Sequence, residues 1–203
     1  GVGDLTAVLV THLHSDHITD LNDVITTRWV TSFVPNPLTI VGPVGTSAVV
    51  DHLLASLAPD ISYRVAHHAD LTGPPPVDVI EVTDGTIDLG TAAALRCAPT
   101  DHRPVEPSVG YRIDSGGASV VAAGDTIPCE GLDRLCANAD ALVHTVIRKD
   151  VIATIPLQRM QDTLDYHSSP EQAGETAARN GVGTLVLTHY VPALQSDTIE
   201  EWR

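Results

Sequence analysis

Short apolar runs punctuated by proline, glycine and acidic residues set the rhythm of this chain, and two periodicities alternate along it. Ala7-Val8-Leu9-Val10 reads as a buried strand. From Asp16 to Val34 the apolar residues Ile18, Leu21, Val24, Ile25, Trp29 and Val30 recur at helical spacing, and Pro35 and Pro37 stop the run. Gly45 to Leu57 predicts a second amphipathic helix, ended at Pro59. Val77 to Val82 and Thr86 to Leu89 flank Asp84-Gly85, which predicts a hairpin. Ser169-Pro170-Glu171-Gln172 predicts a capping box with proline at the first helical position, and Gly181 closes that helix. Further apolar runs at 91–98, 119–123, 141–143 and 184–187 complete an alternation of strands and helices, the pattern of an α/β or layered αββα protein.

Chemistry gathers where the strands end. Behind the first run stands Thr11-His12-Leu13-His14-Ser15-Asp16-His17. Alternation along extended backbone points His12 and His14 the same way, so both can grip one divalent ion. Asp16 and His17, on the turn that follows, can face a second ion. Two metals about 3.5–4 Å apart can hold a hydroxide and stabilise both attacking and leaving oxygens. Imidazole and carboxylate without thiolate suit Zn²⁺, with Mn²⁺ or Fe²⁺ as alternatives. A His-rich surface loop is the competing structural reading. The other runs lead to Asp101-His102, Gly124-Asp125, His144 and Thr188-His189. Ligands collect outside the carboxyl ends of strands in sheet proteins, so His102, Asp125 and His189 are the expected remaining ligands.

Composition narrows the partners. The formal net charge is −15, and Lys149 is the only lysine. Proteins that bind nucleic acid by neutralising many phosphates carry a basic face, which counts against such a role here. Arg148, Lys149 and Arg159 form the one basic cluster, placed to meet an anionic substrate or to sit solvated on the surface. His67-His68 reads as a solvated loop and His52 as helix surface. Cys97, Cys129 and Cys136 have no paired metal spacing, so a reducing cytoplasm and structural burial are expected. No run approaches the ~18 apolar residues of a membrane span, and the first residues show no export signal. A chain of 203 residues without linker or repeat is expected to form one domain over 1–203. Its start at Gly1 suggests a fragment of a longer reading frame.

Taken together, His-x-His-x-Asp-His at 12–17, His102, Gly124-Asp125-Thr126 and Leu187-Thr188-His189 resemble the metallo-β-lactamase superfamily, in the same order along the chain. Within it the likeness is to the ribonuclease Z subgroup of tRNA 3′-processing endonucleases. Thr39-Ile40-Val41-Gly42-Pro43, the stretch from His102 through Gly110-Tyr111-Arg112-Ile113, and Tyr166-His167-Ser168-Ser169 resemble further motifs of that group. The resemblance implies an αββα sandwich, here truncated at both ends, with two zinc ions at one sheet edge. His12, His14 and His102 would hold the first, and Asp16, His17 and His189 the second, with Asp125 bridging. The bridging hydroxide would attack, Asp16 would orient or deprotonate it, and His167 would assist the leaving oxygen. The substrate would be an RNA 3′ end or a smaller anionic phosphodiester, and the protein a homodimer.

The chain also departs from the subgroup. His102 and Asp125 are joined by little more than a hairpin, without the extended arm that grips the tRNA elbow. His144-Thr145-Val146-Ile147 carries threonine where the subgroup has a glutamate that supports the catalytic histidine, which leaves His144 as either a packed or a substrate-side residue. Tyr190-Val191-Pro192-Ala193-Leu194 lacks the serine and arginine of the last motif. The alternatives are hydrolysis of a lactone, thioester, sulfate ester or β-lactam, or a non-catalytic metal-binding protein.

Overall fold

The computed structural model describes residues 1–193, which fall in two compact units, Gly1–Val82 and the stretch from Thr83 onward. Leu194 and the chain end at Glu201-Trp202-Arg203 lie outside the described residues.

The first unit contains β1 (Ala7–Leu9), α1 (Ser15–Ile18), α2 (Leu21–Thr31), β2 (Leu38–Pro43), α3 (Thr46–Ser56), α4 (Ala58–His67) and β3 (Val77–Val82). The strands form a parallel sheet in the order β1-β2-β3. Val10, Leu21, Ile25, Leu38, Ile40 and Val50 bury their side chains in one cluster, each worth roughly 1.5–3 kcal/mol relative to exposure. The helical run expected from Asp16 to Val34 breaks at Thr19-Asp20 and stops at Thr31, leaving Val34 exposed. Arg28 explains the early stop. Its buried guanidinium donates to the carbonyls of Val2, Leu5, Asn36 and Pro37 and to Asn36 Oδ1, folding the segment after the helix back along it. Pro59 opens α4 instead of ending structure, because proline is tolerated in the first turn of a helix. His67 is consequently the last residue of a helix, not part of a loop, while His52 lies exposed on α3 as expected.

The expected hairpin at Asp84-Gly85 is absent. β3 pairs in parallel with β2, with Val79 opposite Ile40, because Val77 and Val79 pack against the apolar cluster of that unit. The following strand, β4 (Gly85–Ile87), pairs with the strand Ala94–Pro99 in the other sheet. Gly85 turns the chain there with φ +113°, and Arg134 holds the Asp84 carboxylate at 2.8 Å.

The second unit continues with β5 (Ala94–Pro99), β6 (Val109–Ser115), β7 (Ala118–Ala122), α5 (Glu130–Cys136), β8 (Ala141–Ile147), α6 (Lys149–Ile152), α7 (Gln158–Asp162), α8 (Pro170–Arg179) and β9 (Thr184–Val191). Its six strands lie in sequential order, antiparallel from β4 to β7 and parallel from β7 to β9. Two successive antiparallel pairings make β5 run the same way as β7, so the carboxyl ends of β5, β7, β8 and β9 share one edge. Val121, Leu132, Leu135, Cys136, Leu142 and Ala177 form the core of this unit. Burial pushes the Cys136 thiol up to about 12, the behaviour of a structural cysteine. Gly131 lets α5 sit directly on β5, since a Cβ there would lie 1.8 Å from the Pro99 carbonyl oxygen. The capping box at Ser169 forms as expected, with Gln172 N donating to Ser169 Oγ and Ser169 N to Gln172 Oε1. No helix among the described residues is long and apolar enough to cross a membrane.

Candidate metal centre

In the first unit the chain leaves β1 still paired, Val10 N donating to Val41 O at 2.8 Å, and stays extended to His14, which precedes α1 with φ −63° and ψ 147°. Extended backbone puts His12 and His14 on one side, and their Nε2 and Nδ1 atoms stand 3.2 Å apart. Two imidazole nitrogens held at about 2.0–2.1 Å by one tetrahedral ion would be separated by roughly 3.3–3.4 Å, so the pair is spaced for a shared metal. The Thr11 hydroxyl lies 3.1 Å from His12 Nδ1 and can accept its proton, the tautomer whose Nε2 can ligate a cation. Asp16 and His17 occupy the first turn of α1, with Asp16 Oδ2 and His17 Nε2 3.5 Å apart and the His17 ring 4.1 Å from that of His12. His12 is fully buried, whereas Asp16 is 61% exposed.

In the second unit three imidazoles surround one carboxylate. Asp125 Oδ2 lies 3.2 Å from His167 Nε2, 3.7 Å from His189 Nε2 and 4.0 Å from His102 Nε2. Asp125 is 2% exposed. Topology gathers these residues: His102 lies just past the end of β5 and Asp125 just past β7 at the shared edge. His189 lies near the end of β9, and His167 enters from the segment before α8. Gly124 makes the departure possible with φ +67°, swinging Asp125 off the line of β7. His189 itself adopts φ +56°, rare for a residue with a side chain. There β9 carries one residue more than β8, the register passing from Thr145↔Thr188 to Ile147↔Val191, and such a bulge re-aims a side chain.

The hydrogen bonds around this cluster fix its chemistry. His102 Nδ1 lies 2.9 Å from Tyr166 O and His167 Nδ1 3.0 Å from Thr163 O. A carbonyl oxygen only accepts, so both Nδ1 atoms carry protons. Each Nε2 is thereby turned toward the buried Asp125 carboxylate oxygen, where a divalent cation among these atoms would be coordinated by ring nitrogen and carboxylate together. Asp125, His167 and His189 each offer a donor atom, all within 4.8 Å of one another. The donor set, imidazole and carboxylate only, fits a borderline divalent ion such as zinc.

Sequence reasoning missed the residues that tie these loops together. Thr126 is fully buried, and its Oγ1 accepts from Asp101 N at 3.0 Å and approaches Asp101 O at 3.1 Å and Ile127 O at 2.7 Å. It thereby locks the loop carrying His102 to the loop carrying Asp125. Ser168 Oγ donates to Thr126 O at 2.7 Å, bringing in the His167 segment. Thr145 donates to Gly124 O at 2.8 Å and so buttresses the turn before Asp125. The available signal was a hydroxyl residue directly behind Asp125, His144 and His167.

His144 was expected at a strand end but lies within β8 opposite Leu187, because β8 runs on to Ile147. It is fully buried; Nδ1 donates to Thr145 O at 2.7 Å, and Nε2 has no hydrogen-bond partner among the described residues. Burial pushes its pKa below the ordinary histidine value, against an upward pull from the Asp125 charge. Among the basic residues, Arg148 clamps the Asp150 carboxylate at 2.7 and 2.6 Å and holds it down to about 2. Lys149 is half-buried, and desolvation pushes its ammonium below the ordinary lysine value. Arg159 is exposed on α7.

Comparison with known proteins agrees with this chemistry. The model of the beta-lactamase superfamily domain matches residues 1–190. A protein named ribonuclease Z from Mycobacterium avium (strain 104) is 61% identical over the whole of this chain, which spans 73% of that protein. Its namesake from Mycolicibacterium gilvum (strain PYR-GCK) is 58% identical, again over the whole chain and 72% of the relative. Among solved structures, the short form of human tRNase Z superposes with a TM-score of 0.67 at 24% identity, covering 94% of this chain and 74% of that one. The metallo-beta-lactamase fold protein YhfI from Bacillus subtilis gives 0.66 at 23% identity, covering 93% and 66%. These two show the fold, and the expected metallo-β-lactamase fold is met.

Proposed function

Because the chain belongs to the ribonuclease Z family of the beta-lactamase superfamily, and so is a metal-dependent hydrolase, we propose that it cuts precursor tRNA at the 3′ side with two zinc ions. We read the two compact units as halves of one catalytic domain, a reading supported by the single family model that runs across both. In this assignment His12, His14 and His102 would hold one ion and Asp16, His17 and His189 the other, with Asp125 contributing its carboxylate to the set. When bound, the ions supply a hydroxide at neutral pH and positive charge for the phosphoryl oxygens.

The protein's own groups complete the reaction. Asp125, nearly excluded from water, presents its carboxylate oxygen to three imidazoles. His167 presents Nε2 at the site with Nδ1 anchored on Thr163 O, the orientation a general acid needs to protonate a leaving ribose oxygen. Asp16, more exposed than the other ligands, stands where it can accept the proton of the attacking water. Lys149 and Arg159 offer cations to RNA phosphates, and His144 backs the site from β8 as a neutral ring. An acidic surface implies few phosphate contacts, so cleavage rests on the 3′ end and the metals rather than on a basic face. Action in the cytoplasm as a homodimer completes the reading.

The observation that carries the proposal is the buried Asp125 ringed by the Nε2 atoms of His102, His167 and His189 in a chain 61% identical to a ribonuclease Z. Parallel assays on precursor tRNA, bis-p-nitrophenyl phosphate, a cyclic nucleotide and a lactone test it. Zinc-dependent cleavage of the precursor at its 3′ side is expected, abolished by chelation and restored by added zinc. Robust lactone turnover without phosphodiester cleavage would reject it.

A further inference from the structure

The Nδ1 atoms of His102 and His167 are held by backbone carbonyls. Their Nδ1 protons go to Tyr166 O and Thr163 O, and both acceptors belong to one short stretch, the 3-10 turn Thr163–Asp165 and the residue after it. The Thr145 hydroxyl donates to Gly124 O at 2.8 Å. Orientation of both rings therefore depends on where the 163–166 turn is held.

That turn follows α7, a helix of five residues with no side-chain cap and no buried residue. A helix so short has little stability of its own. The Gln161 side chain anchors it. Its Nε2 donates to Ile155 O at 2.6 Å and Ile152 O at 3.0 Å, with Ala153 O at 3.4 Å. These carbonyls lie at and just beyond the end of α6, where Ile152 O and Ile155 O also accept from Ile155 N and Leu157 N, so the Gln161 amide joins a turn already held by backbone hydrogen bonds. Ile152 is fully buried, so the anchor point is fixed in the core. Thr163 Oγ1 donates to Met160 O at 2.7 Å and couples α7 to the turn.

We propose that Gln161 is a positioning residue for the reaction: by tying α7 to the carbonyls after α6 it sets the 163–166 turn that orients His102 and His167 through their Nδ1–H groups. The inference rests on the reading of His102 as a metal ligand and His167 as a catalytic residue. Gln161 touches neither ring and acts only through the turn.

The test compares Gln161→Leu, which removes the donors at similar volume, with Gln161→Lys, which restores a donor. Gln161→Asn, one methylene shorter, serves in its place should the leucine variant not fold. In the metal-free protein, ¹⁵N-histidine spectra report which ring nitrogen carries the proton, with assignments from His102→Gln and His167→Gln. Gln161→Leu is expected to lose the defined Nδ1–H signals of both rings and to lower kcat on precursor tRNA by about tenfold or more, with KM little changed. Gln161→Lys should recover most of both. Unchanged Nδ1–H signals in Gln161→Leu, or an equal kcat loss in the lysine variant, would overturn the positioning role. Full turnover by His167→Ala would instead sink the assignment of His167, and the tautomer spectra would still decide what Gln161 does.

Discussion

The two regions that carry the candidate metal-binding residues are built on opposite plans. In the first unit the donors are contiguous, His12 through His17, and local backbone arranges them: an extended stretch, then one turn of helix. In the second unit His102, Asp125, His167 and His189 come from four separated segments and meet only because the strands ending beside them share a sheet edge. The first arrangement costs little more than a strand end. The second needs a left-handed Gly124, a bulge at His189, and the hydroxyls of Thr126, Thr145 and Ser168 to hold the loops. A contiguous motif tolerates change around it, whereas a dispersed cluster depends on its supports.

That contrast can be broken most forcefully at Asp125. Asp125→Ala is expected to lower kcat on precursor tRNA by about a thousandfold or more, since the carboxylate is the common partner of three imidazoles. Retained activity would remove Asp125 from the site. His167→Ala should lower kcat by about a hundredfold, the usual range for a general acid, and flatten the alkaline limb of the pH–rate profile. An unshifted profile would make His167 a packing residue.

Supports should show smaller effects that separate the units. Thr126→Val removes the hydroxyl joining the His102 and Asp125 loops, and loss of zinc affinity by about tenfold is expected. Thr11→Val should change it less, since the His12–His14 spacing follows from extended backbone alone. Equal losses would erase the distinction. Charge reversal at Arg148 and Lys149 should raise KM by about threefold to tenfold, measured at low salt. An unchanged KM would take both out of the substrate's path.

His144 yields the smallest effect and a defined sign. Burial depresses its pKa in the folded protein, so the unfolded chain binds more protons as pH falls. The stability linked to this group is present above the unfolded value of about 6.5 and is lost as pH drops from there through the folded pKa. His144→Gln should therefore weaken the fall of Tm between about pH 6.5 and pH 5. An identical slope would remove His144 from the acid response.

The same contrast explains what the sequence disclosed. His-x-His-x-Asp-His was legible because period-two alternation fixes which side each histidine faces, and the Ser169 cap because its residues are adjacent in sequence. His102, Asp125 and His189 were reachable only through the rule that ligands lie past strand ends, and that rule misplaced His144, which stands inside β8. The Asp84-Gly85 hairpin failed for a related reason. A turn signal specifies a local bend, but which strand pairs with which is decided by the apolar cluster on which Val77 and Val79 pack. Long-range supports such as Arg28 and Gln161 reach backbone carbonyls that carry no sequence signature.

The proposed function calls for two metal ions per chain, and metal stoichiometry tests it most directly. Elemental analysis of the purified, folded protein after zinc loading and removal of free metal should give two zinc ions per chain, falling below two in His12→Ala and again in Asp125→Ala. One ion or fewer in the unaltered protein, or two ions undiminished by either substitution, would contradict the account.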